Sequence, residues 1–189
     1  MQLETEQLII KSLNESDAAA VLKVYEQSQD FFELQTAEPP SIERVRADIQ
    51  SAQPRGSLFV GLFDRASGEL IGVADFVTKN FRGQADYAWL TALVIRDSDR
   101  RKGYGREAYR AIEQFIFDDP AVKRIGHALI PQYAAGLAFA EKMGFERAGG
   151  PFKNQRGYGL YSFVKKRPGL PETPGEKIWH ANRHVLNES

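Results

Sequence analysis

The chain has 189 residues, enough for one domain with a full hydrophobic core. Its 25 acidic and 25 basic residues balance, so no overall field favours nucleic acid or an anionic membrane as a partner. Cysteine is absent, which excludes disulfides, thiolate metal sites and cysteine nucleophiles.

The hydrophobic pattern of the first third of the chain predicts one strand and two helices. Leu8–Ile10, apolar between polar flanks, predicts the first strand. Asn14 is a suitable N-cap for the first helix, and Ser41, after two prolines, for the second. Between the helices, a loop or helix end carries packing residues that can also wall a substrate cleft: Phe31, Phe32 and Leu34.

From Ser57 the hydrophobic period changes from helix to strand. Three antiparallel strands are predicted at 58–63, 69–79 and 85–95, separated by polar turns. A helix then carries Ala108 to Ile116 on its apolar face and stops before Pro120. Because a helix connects it to the strand at 85–95, the next strand, Arg124–Ile130, should lie parallel to that strand.

The last predicted elements are one helix and a closing hairpin. The helix, Leu137–Met143, is ended by Gly144, and the hairpin runs from Phe145 to Lys165. A change of composition at Pro168 then predicts two parts: a domain over residues 1–167 and a C-terminal arm or tail over 168–189. In that tail, Ile178-Trp179 could dock onto the core or onto a second subunit.

The most informative segment lies between the strand at 85–95 and the helix after it. Gly103 and Gly105 stand at alternate positions at the helix start, where unpaired amides and the helix dipole favour an anion. Glycine can turn successive amides inward and lets a phosphate approach closely. Arg100, Arg101 and Lys102 precede the glycines, so the segment predicts a site for a compact polyanion.

Two common phosphate loops fit this segment poorly. Gly103 to Ala108 satisfies the dinucleotide pattern G-x-G-x-x-G/A, but a seven-residue loop separates it from its strand and antiparallel strands precede it. The acidic residue expected after the next strand is also missing, since that strand ends Ile130-Pro131-Gln132. A Walker loop is excluded because no Gly-Lys-Ser/Thr follows.

Three motifs in order resemble the GNAT N-acetyltransferase superfamily. Arg100-Arg101-Lys102-Gly103-Tyr104-Gly105 resembles its pyrophosphate loop, and Glu141-Lys142-Met143-Gly144-Phe145 its E-K-x-G-F helix end. The opening, Glu6 to Lys11, is similar to the start of the ribosomal-protein-acetyltransferase-like branch. The resemblance covers about Thr5 to Lys166, most of the chain without the tail.

The resemblance implies a mixed α/β fold and an acetyl-CoA site. The expected fold has a central, mostly antiparallel twisted sheet with one splayed parallel pair and helices on both faces. The pantetheine arm of acetyl-CoA would pair with the backbone of Leu93, Val94 and Ile95. The pyrophosphate would be held by Arg101, Lys102, Gly103, Tyr104 and Gly105, with Arg100 and Arg106 as side-chain partners.

The implied reaction is acetyl transfer to a primary amine, of a small molecule or a peptide or protein N-terminus, by direct attack in a ternary complex. The sequence departs from the family where a base is often found, since Trp89, Leu90 and Thr91 occupy that neighbourhood. Asp86 is the nearest carboxylate on the strand and our candidate base; Asp75, on the neighbouring strand, is expected to be solvated.

The acid position also departs from the family. The tyrosine that many members use to protonate the leaving thiolate corresponds to Ala140, and Tyr133 replaces an asparagine, so Tyr133 is our candidate proton donor. His127, His180 and His184 lack metal-ligand spacing, and no metal is expected. Four aromatics are expected in the core by default, although they could line an acceptor pocket: Phe76, Tyr87, Trp89 and Tyr158.

The missing catalytic positions leave a second hypothesis open, a non-catalytic acyl-CoA-binding regulatory domain. If the chain is an enzyme with a weak base, acceptors of low pKa should react better than lysine side chains. With no signal-peptide core and no membrane-spanning run, we expect a cytoplasmic protein without nucleic-acid or membrane partners. The oligomeric state stays open between a monomer and a homodimer.

Overall fold

A computed structural model of the chain describes residues 1–35, 39–153, 157 and 159–170. Over these residues the chain forms one eight-stranded sheet with five α-helices. The strands are β1 Gln2–Glu4, β2 Leu8–Ser12, β3 Ser57–Asp64, β4 Leu70–Val77, β5 Tyr87–Ile95, β6 Arg124–Leu129, β7 Glu146–Lys153 and β8 Gly159–Lys166. The helices are α1 Ala18–Glu26, α2 Gln29–Gln35, α3 Ile42–Ala52, α4 Tyr104–Phe117 and α5 Ala134–Lys142.

The spatial order of the sheet is β1-β2-β3-β4-β5-β6-β8-β7. The pair β5–β6, which α4 connects, is parallel, and the other six neighbouring pairs are antiparallel. This confirms the expected mixed sheet with its single parallel pair. A dinucleotide-binding fold needs a mostly parallel, doubly wound sheet, so that interpretation is wrong.

Two apolar clusters place helices on both faces of the sheet. Phe76 of β4 packs in one cluster with Ile112 of α4. Val73, three residues earlier on the same strand, packs in the other with Val21 of α1 and Val45 of α3. Side chains alternate between the faces of a strand, and each large apolar side chain that is buried contributes roughly 1.5–3 kcal/mol. The sheet is therefore the middle layer of a three-layer domain.

The predicted helix starts are confirmed at Asn14 and Ser41. The Asn14 side chain accepts the Ser16 N–H, and Asp17 accepts the Asn14 N–H, which forms a capping box. Ser41 accepts the Arg44 N–H at the start of α3. One difference is that the first helix opens with a short 3-10 turn before α1 begins.

Three expectations are corrected. A short strand, β1, precedes the predicted first strand and pairs with it. Phe31, Phe32 and Leu34 belong to a separate helix, α2, rather than to a loop or to the end of a predicted helix. Asp75 is 5% exposed, not solvated, because it lies on the face of β4 that α1 and α3 cover.

The end of the domain is joined to the loop before β6. The Arg167 N–H donates to the Lys123 carbonyl oxygen at 2.7 Å, and its Nε donates to the Val122 carbonyl oxygen at 2.8 Å. Residues 171–189 lie outside the described residues, so the predicted tail, with Ile178-Trp179, His180 and His184, is not described. The same holds for Tyr158.

Candidate active site

The parallel pair β5–β6 separates into a V-shaped gap. Its ladder ends at the pair Leu90–His127, whereas β5 continues to Ile95 and stays paired with β4 alone. The β4–β5 register shifts at Thr91, which is skipped between paired residues as in a β-bulge. Backbone groups of 91–95 that point away from β4 therefore face the gap, where a ligand can pair with them.

The loop after β5 has a backbone conformation that can bind an anion. Arg101 and Gly103 both have left-handed backbone conformations, with φ of 62° and 97°. Alternating left-handed residues turn successive N–H groups to one side. The Glu107 N–H donates to the Gly103 carbonyl oxygen at 3.0 Å, so the N–H groups of Tyr104 to Arg106 precede the hydrogen-bonded ladder of α4.

The two glycines leave space for a phosphate. A Cβ built on Gly103 would meet only the Gln7 side chain within 4 Å, at 3.9 Å. One built on Gly105 would lie 3.6 Å from Phe139 and 3.8 Å from Ile95, both of which line the cleft. The backbone here is thus open to a group that must approach closely, as the diphosphate of a nucleotide must.

The cations around the loop differ in their partners. Lys102 forms a 2.8 Å ion pair with Asp99, which is buried and also binds the Arg96 guanidinium. Within the described parts of the chain, no hydrogen bond or ion pair engages the side chains of Arg101 and Arg106, which line the same cleft. These two guanidinium groups are therefore available to an anion.

Arg100 contacts other residues of the protein through all three of its guanidinium nitrogens. Its two terminal nitrogens donate to the Asp30 carboxylate at 2.6 and 2.7 Å, and its Nε donates to the Ile95 carbonyl oxygen at 3.0 Å. Asp97 lies 3.0 Å from the same guanidinium. Arg100 lines the cleft, but its donors are directed to these three residues.

A cleft of about 530 Å³ follows the gap, within the usual range for a cofactor or small-ligand site. Five cationic residues line it: Arg100, Arg101, Lys102, Arg106 and Lys142. Its apolar lining includes Leu93, Ile95, Leu129, Phe139 and Met143. No carboxylate is among the described residues that line it. A cationic mouth with an apolar channel suits a ligand with phosphates at one end and a thioester-bearing arm.

Aromatic residues from both faces of the sheet meet over the cleft. Tyr133 precedes α5, and its ring contacts the Phe31 ring of α2 edge to face, with centroids 6.2 Å apart. Phe31 packs with the cluster under α1 and α3, and Tyr133 with the cluster under α4. Burial raises the pKa of the Tyr133 phenol, against the opposing effect of Arg100, so the phenol keeps its proton at neutral pH.

His127 also lines the cleft, at the point where the strands part. Its Nδ1 lies 2.7 Å from the Leu90 carbonyl oxygen. Burial lowers the pKa of His127 to about 4, so the ring is neutral at pH 7. The sequence predicts that this residue is structural or solvated. Its position at the last pair of the β5–β6 ladder depends on the strand register, which no local pattern encodes.

The structure does not bring Asp86 to the cleft. Asp86 precedes β5 at the end opposite the gap, and its carboxylate pairs with Arg124 at 3.4 Å. At about 3.3 Å per residue, it lies roughly 16 Å along the chain from Thr91. Of the predicted backbone contacts, the Val94 side chain is buried away from the cleft, and the Tyr104 hydroxyl donates to Asp64 at 3.0 Å, so each can offer only its main chain.

Three of the four predicted aromatic candidates lie outside the cleft, and the fourth, Tyr158, is outside the described residues. Phe76 is fully buried in the core, as expected. Trp89 stacks on Phe81 with centroids 4.5 Å apart and contacts Tyr87 edge to face. Phe31 of α2, a predicted packing or cleft-wall residue, provides the aromatic wall together with Tyr133.

The described residues contain no group of three His, Asp or Glu side chains that could hold a metal ion. Among the helices within the described ranges, none is long and apolar enough to cross a membrane.

The mixed sheet with its splayed parallel pair and the cationic cleft along the gap have the form expected of an acyl-CoA-dependent transferase. The sequence model of the family described as "Acetyltransferase (GNAT) domain" matches residues 10–159. The chain is 26% identical over 180 residues to YoaA, an uncharacterized N-acetyltransferase of Bacillus subtilis (strain 168), with 87% of this chain and 97% of that protein covered.

Solved acetyltransferase structures have a similar fold. An acetyltransferase from Thermus thermophilus superposes with a TM-score of 0.69 at 25% identity, covering 88% of this chain and all of that one. An acetyltransferase from Salmonella typhimurium, which modifies the N-terminal serine of the 50S ribosomal protein L7/L12, superposes with a TM-score of 0.73 at 14% identity, covering 86% and 96%.

The chain belongs to the GNAT acetyltransferase family. It is an acetyl-CoA-dependent N-acetyltransferase, and its acceptors are amines.

Proposed function

We propose that this enzyme acetylates α-amino groups, of peptide or protein N-termini or of small amines, in preference to lysine side chains. The observation that carries the proposal is the composition of the cleft, whose described lining has five cationic residues and no carboxylate. Such a lining offers no strong base to remove a proton from the acceptor, so the best acceptor is an amine that is readily neutral.

Free-energy costs favour the same acceptors. Removing the proton from a lysine amine, with a pKa near 10.4, costs about 4.6 kcal/mol at pH 7, whereas an α-amine near 7.8 costs about 1 kcal/mol. A site without a strong base is therefore much less handicapped with an α-amine. N-terminal acetylation by the Salmonella structural neighbour is consistent with this choice.

For the cofactor, we propose that the amides of residues 101–105 and the side chains of Arg101 and Arg106 bind the pyrophosphate of acetyl-CoA, and that the pantetheine arm pairs with Leu93–Ile95. The bound thioester supplies an activated acetyl carbonyl. Backbone N–H groups near the Thr91 bulge face the gap and can stabilise negative charge on the carbonyl oxygen. Tyr133 holds a protonated phenol at the cleft and is our candidate donor to the leaving thiolate.

As a user of acetyl-CoA, a cytoplasmic metabolite, the enzyme is proposed to work in the cytoplasm. The functional test compares, at pH 7 and with acetyl-CoA, two peptides that differ at one side chain and at the N-terminus. One has a free N-terminus and arginine in place of lysine; the other has a blocked N-terminus and one lysine. Thiol release and mass spectrometry follow the reaction.

We expect turnover with the free α-amine peptide and at least tenfold less with the lysine peptide. Faster acetylation of the lysine peptide would contradict the proposed preference. Saturable acetyl-CoA binding without acetylation of these peptides or of a broad amine panel would instead support the non-catalytic alternative.

A further inference from the structure

Arg100 is the first residue of the predicted phosphate-loop motif, yet its two terminal nitrogens donate to Asp30 of helix α2. Asp30, which accepts two of its hydrogen bonds, is the second residue of α2, 70 positions earlier in the chain. A bidentate guanidinium–carboxylate pair is among the strongest and most directional contacts in proteins. Its geometry leaves the Arg100 guanidinium joined to α2 rather than open to a ligand.

We propose that Arg100 is a positioning residue: it joins the phosphate loop to α2 and so holds Phe31 as the wall that the acceptor amine meets. This inference rests on the proposed function only in taking the molecule that meets Phe31 to be the acceptor amine. The residues that touch the phosphates are then Arg101 and Arg106 and the loop amides, and Arg100 influences the reaction through Asp30.

The contacts of α2 support this role. Asp30 also accepts the Phe31 N–H at 2.7 Å, so the carboxylate held by Arg100 in turn orients the first turn of the helix. Phe31 lines the cleft and reaches the Tyr133 ring on its far side. Moving Asp30 therefore moves one of the two aromatic rings that meet over the gap.

The backbone before α2 is joined to the same loop. The Asp97 N–H donates to the Gln27 carbonyl oxygen at 2.8 Å, just after α1. Buried Ser28 lies with its hydroxyl 2.8 Å from the Val24 carbonyl oxygen and 3.5 Å from that of Ile95. The junction between α1 and α2 thus rests on the end of β5, and Arg100 extends this attachment to the helix itself.

The position of Phe31 matters because the acceptor amine has to reach the gap from the face of the sheet on which Phe31 lies. The phosphate loop leads into α4, on one face of the sheet, while Phe31 packs with the cluster on the opposite face. A ligand held at the start of α4 enters the gap from its own face, so an amine attacking its far end meets the face on which Phe31 lies. Arg100 belongs to the loop before α4 and also binds Asp30 of α2, so it connects elements on the two faces of the sheet.

The experiment compares Arg100→Gln, Asp30→Asn and the double variant with Arg101→Gln, which removes a neighbouring loop cation that has no hydrogen-bonded partner among the described residues. Three quantities are measured: the dissociation constant of CoA by calorimetry, amide hydrogen exchange of residues 29–35 without ligand, and the KM and kcat of the best α-amine peptide. Arg100→Lys is the conservative variant that retains charge without the bidentate geometry.

We expect Arg100→Gln and Asp30→Asn each to speed exchange in α2 and to raise the acceptor KM by roughly tenfold, the ratio that corresponds to about 1.4 kcal/mol. CoA affinity should change less than about threefold, and the double variant should be no worse than either single one. Arg101→Gln should weaken CoA binding roughly tenfold and leave α2 exchange unchanged. Arg100→Lys should restore part of the acceptor KM.

The proposal is overturned if Arg100→Gln weakens CoA binding as Arg101→Gln does while Asp30→Asn does not, because Arg100 would then be a phosphate ligand. Unchanged α2 exchange in both Arg100→Gln and Asp30→Asn would also overturn it. Exchange and CoA binding need no acceptor, so they test this inference even if the wild-type enzyme acetylates none of the peptides and the proposed function fails. If Arg100→Gln does not fold, Asp30→Asn carries the same comparison.

Discussion

The Nδ1 atom of His127 lies 2.7 Å from the main-chain carbonyl oxygen of Leu90, at the last residue pair that β5 and β6 share. A carbonyl oxygen can only accept a hydrogen bond, so the single N–H of the neutral ring is on Nδ1 and Nε2 is left as an acceptor. The contact satisfies a backbone group at the point where the parallel ladder stops and the cleft begins.

The lowered pKa of His127 predicts a specific pH dependence of stability. Below pH 6.5 or so the ring is protonated in the unfolded chain, but in the folded protein it stays neutral down to about pH 4. The contribution of His127 to the free energy of unfolding is therefore fully present above about pH 6.5 and is lost as the pH falls towards 4. Because the ring is partly accessible, we expect the loss to be roughly 1–3 kcal/mol.

Urea unfolding of wild type and His127→Gln at pH 7.5, 5.5 and 4.5 measures this effect. The glutamine does not titrate, so the difference between the two proteins should shrink as the pH falls. Parallel pH profiles for the two proteins would show that the ring titrates normally.

Substitutions at Gly105 should separate folding from cofactor binding. A methyl group fits beside Phe139 and Ile95, and alanine favours a helix, so Gly105→Ala should fold with stability unchanged or raised by up to about 1 kcal/mol. Gly105→Phe should also fold, because its ring can extend into the open cleft, but CoA binding should fall at least tenfold. Thermal unfolding measures the stability of both variants, and calorimetry measures their affinity for CoA. Equal CoA affinity for Gly105→Phe and wild type would show that the cofactor binds elsewhere.

Tyr133→Phe tests the proposed proton donor. Loss of a general acid typically costs about a hundredfold or more in kcat, and the retained ring should leave CoA affinity within about twofold. Because burial raises the pKa of the phenol, the wild-type kcat should show no loss from Tyr133 ionisation up to pH 9. Asp86→Asn is the matched control: since its carboxylate lies away from the cleft, kcat should change less than about twofold. Full kcat in Tyr133→Phe would remove this residue from the chemistry.

Asp75→Asn should relieve a buried charge. Its Oδ2 accepts a hydrogen bond from Arg55 at 3.0 Å, whereas its buried Oδ1 has no hydrogen-bond partner among the described residues. Burial raises the pKa of the carboxyl, against the opposing effects of Ser57 and Arg55. A raised pKa means that the ionised form destabilises the fold, and the penalty is absent at low pH, where the group is protonated in both states.

We therefore expect Asp75→Asn to be as stable as wild type near pH 3 and more stable by up to about 2 kcal/mol at pH 8. Chemical denaturation at both values measures this difference. Since Asp75 does not line the cleft, kcat should be unchanged; a tenfold loss with normal CoA binding would instead identify Asp75 as the base.

Sequence patterns alone were sufficient for most of the helices and strands, with β1 and α2 as the exceptions. Caps at Asn14 and Ser41, the alternating strands, and the helix after Gly103 depend on residues within a few positions of each other, so local propensity and periodicity predict them. The parallel pairing of β5 and β6 follows from the helix that connects them. The separation of that pair was expected only through the family resemblance.

Tertiary structure decided which residues of the loop and sheet are free to act. Arg100 and Arg101 are adjacent and chemically equivalent in sequence, but Asp30, brought from 70 residues away, engages the first and not the second. Strand register likewise places His127 at the fork and leaves Asp86 at the opposite end of β5. Hydrogen bonding and burial depend on neighbours that are distant in the chain, so residue type and spacing determine the kind of site, whereas packing determines which side chains can serve it.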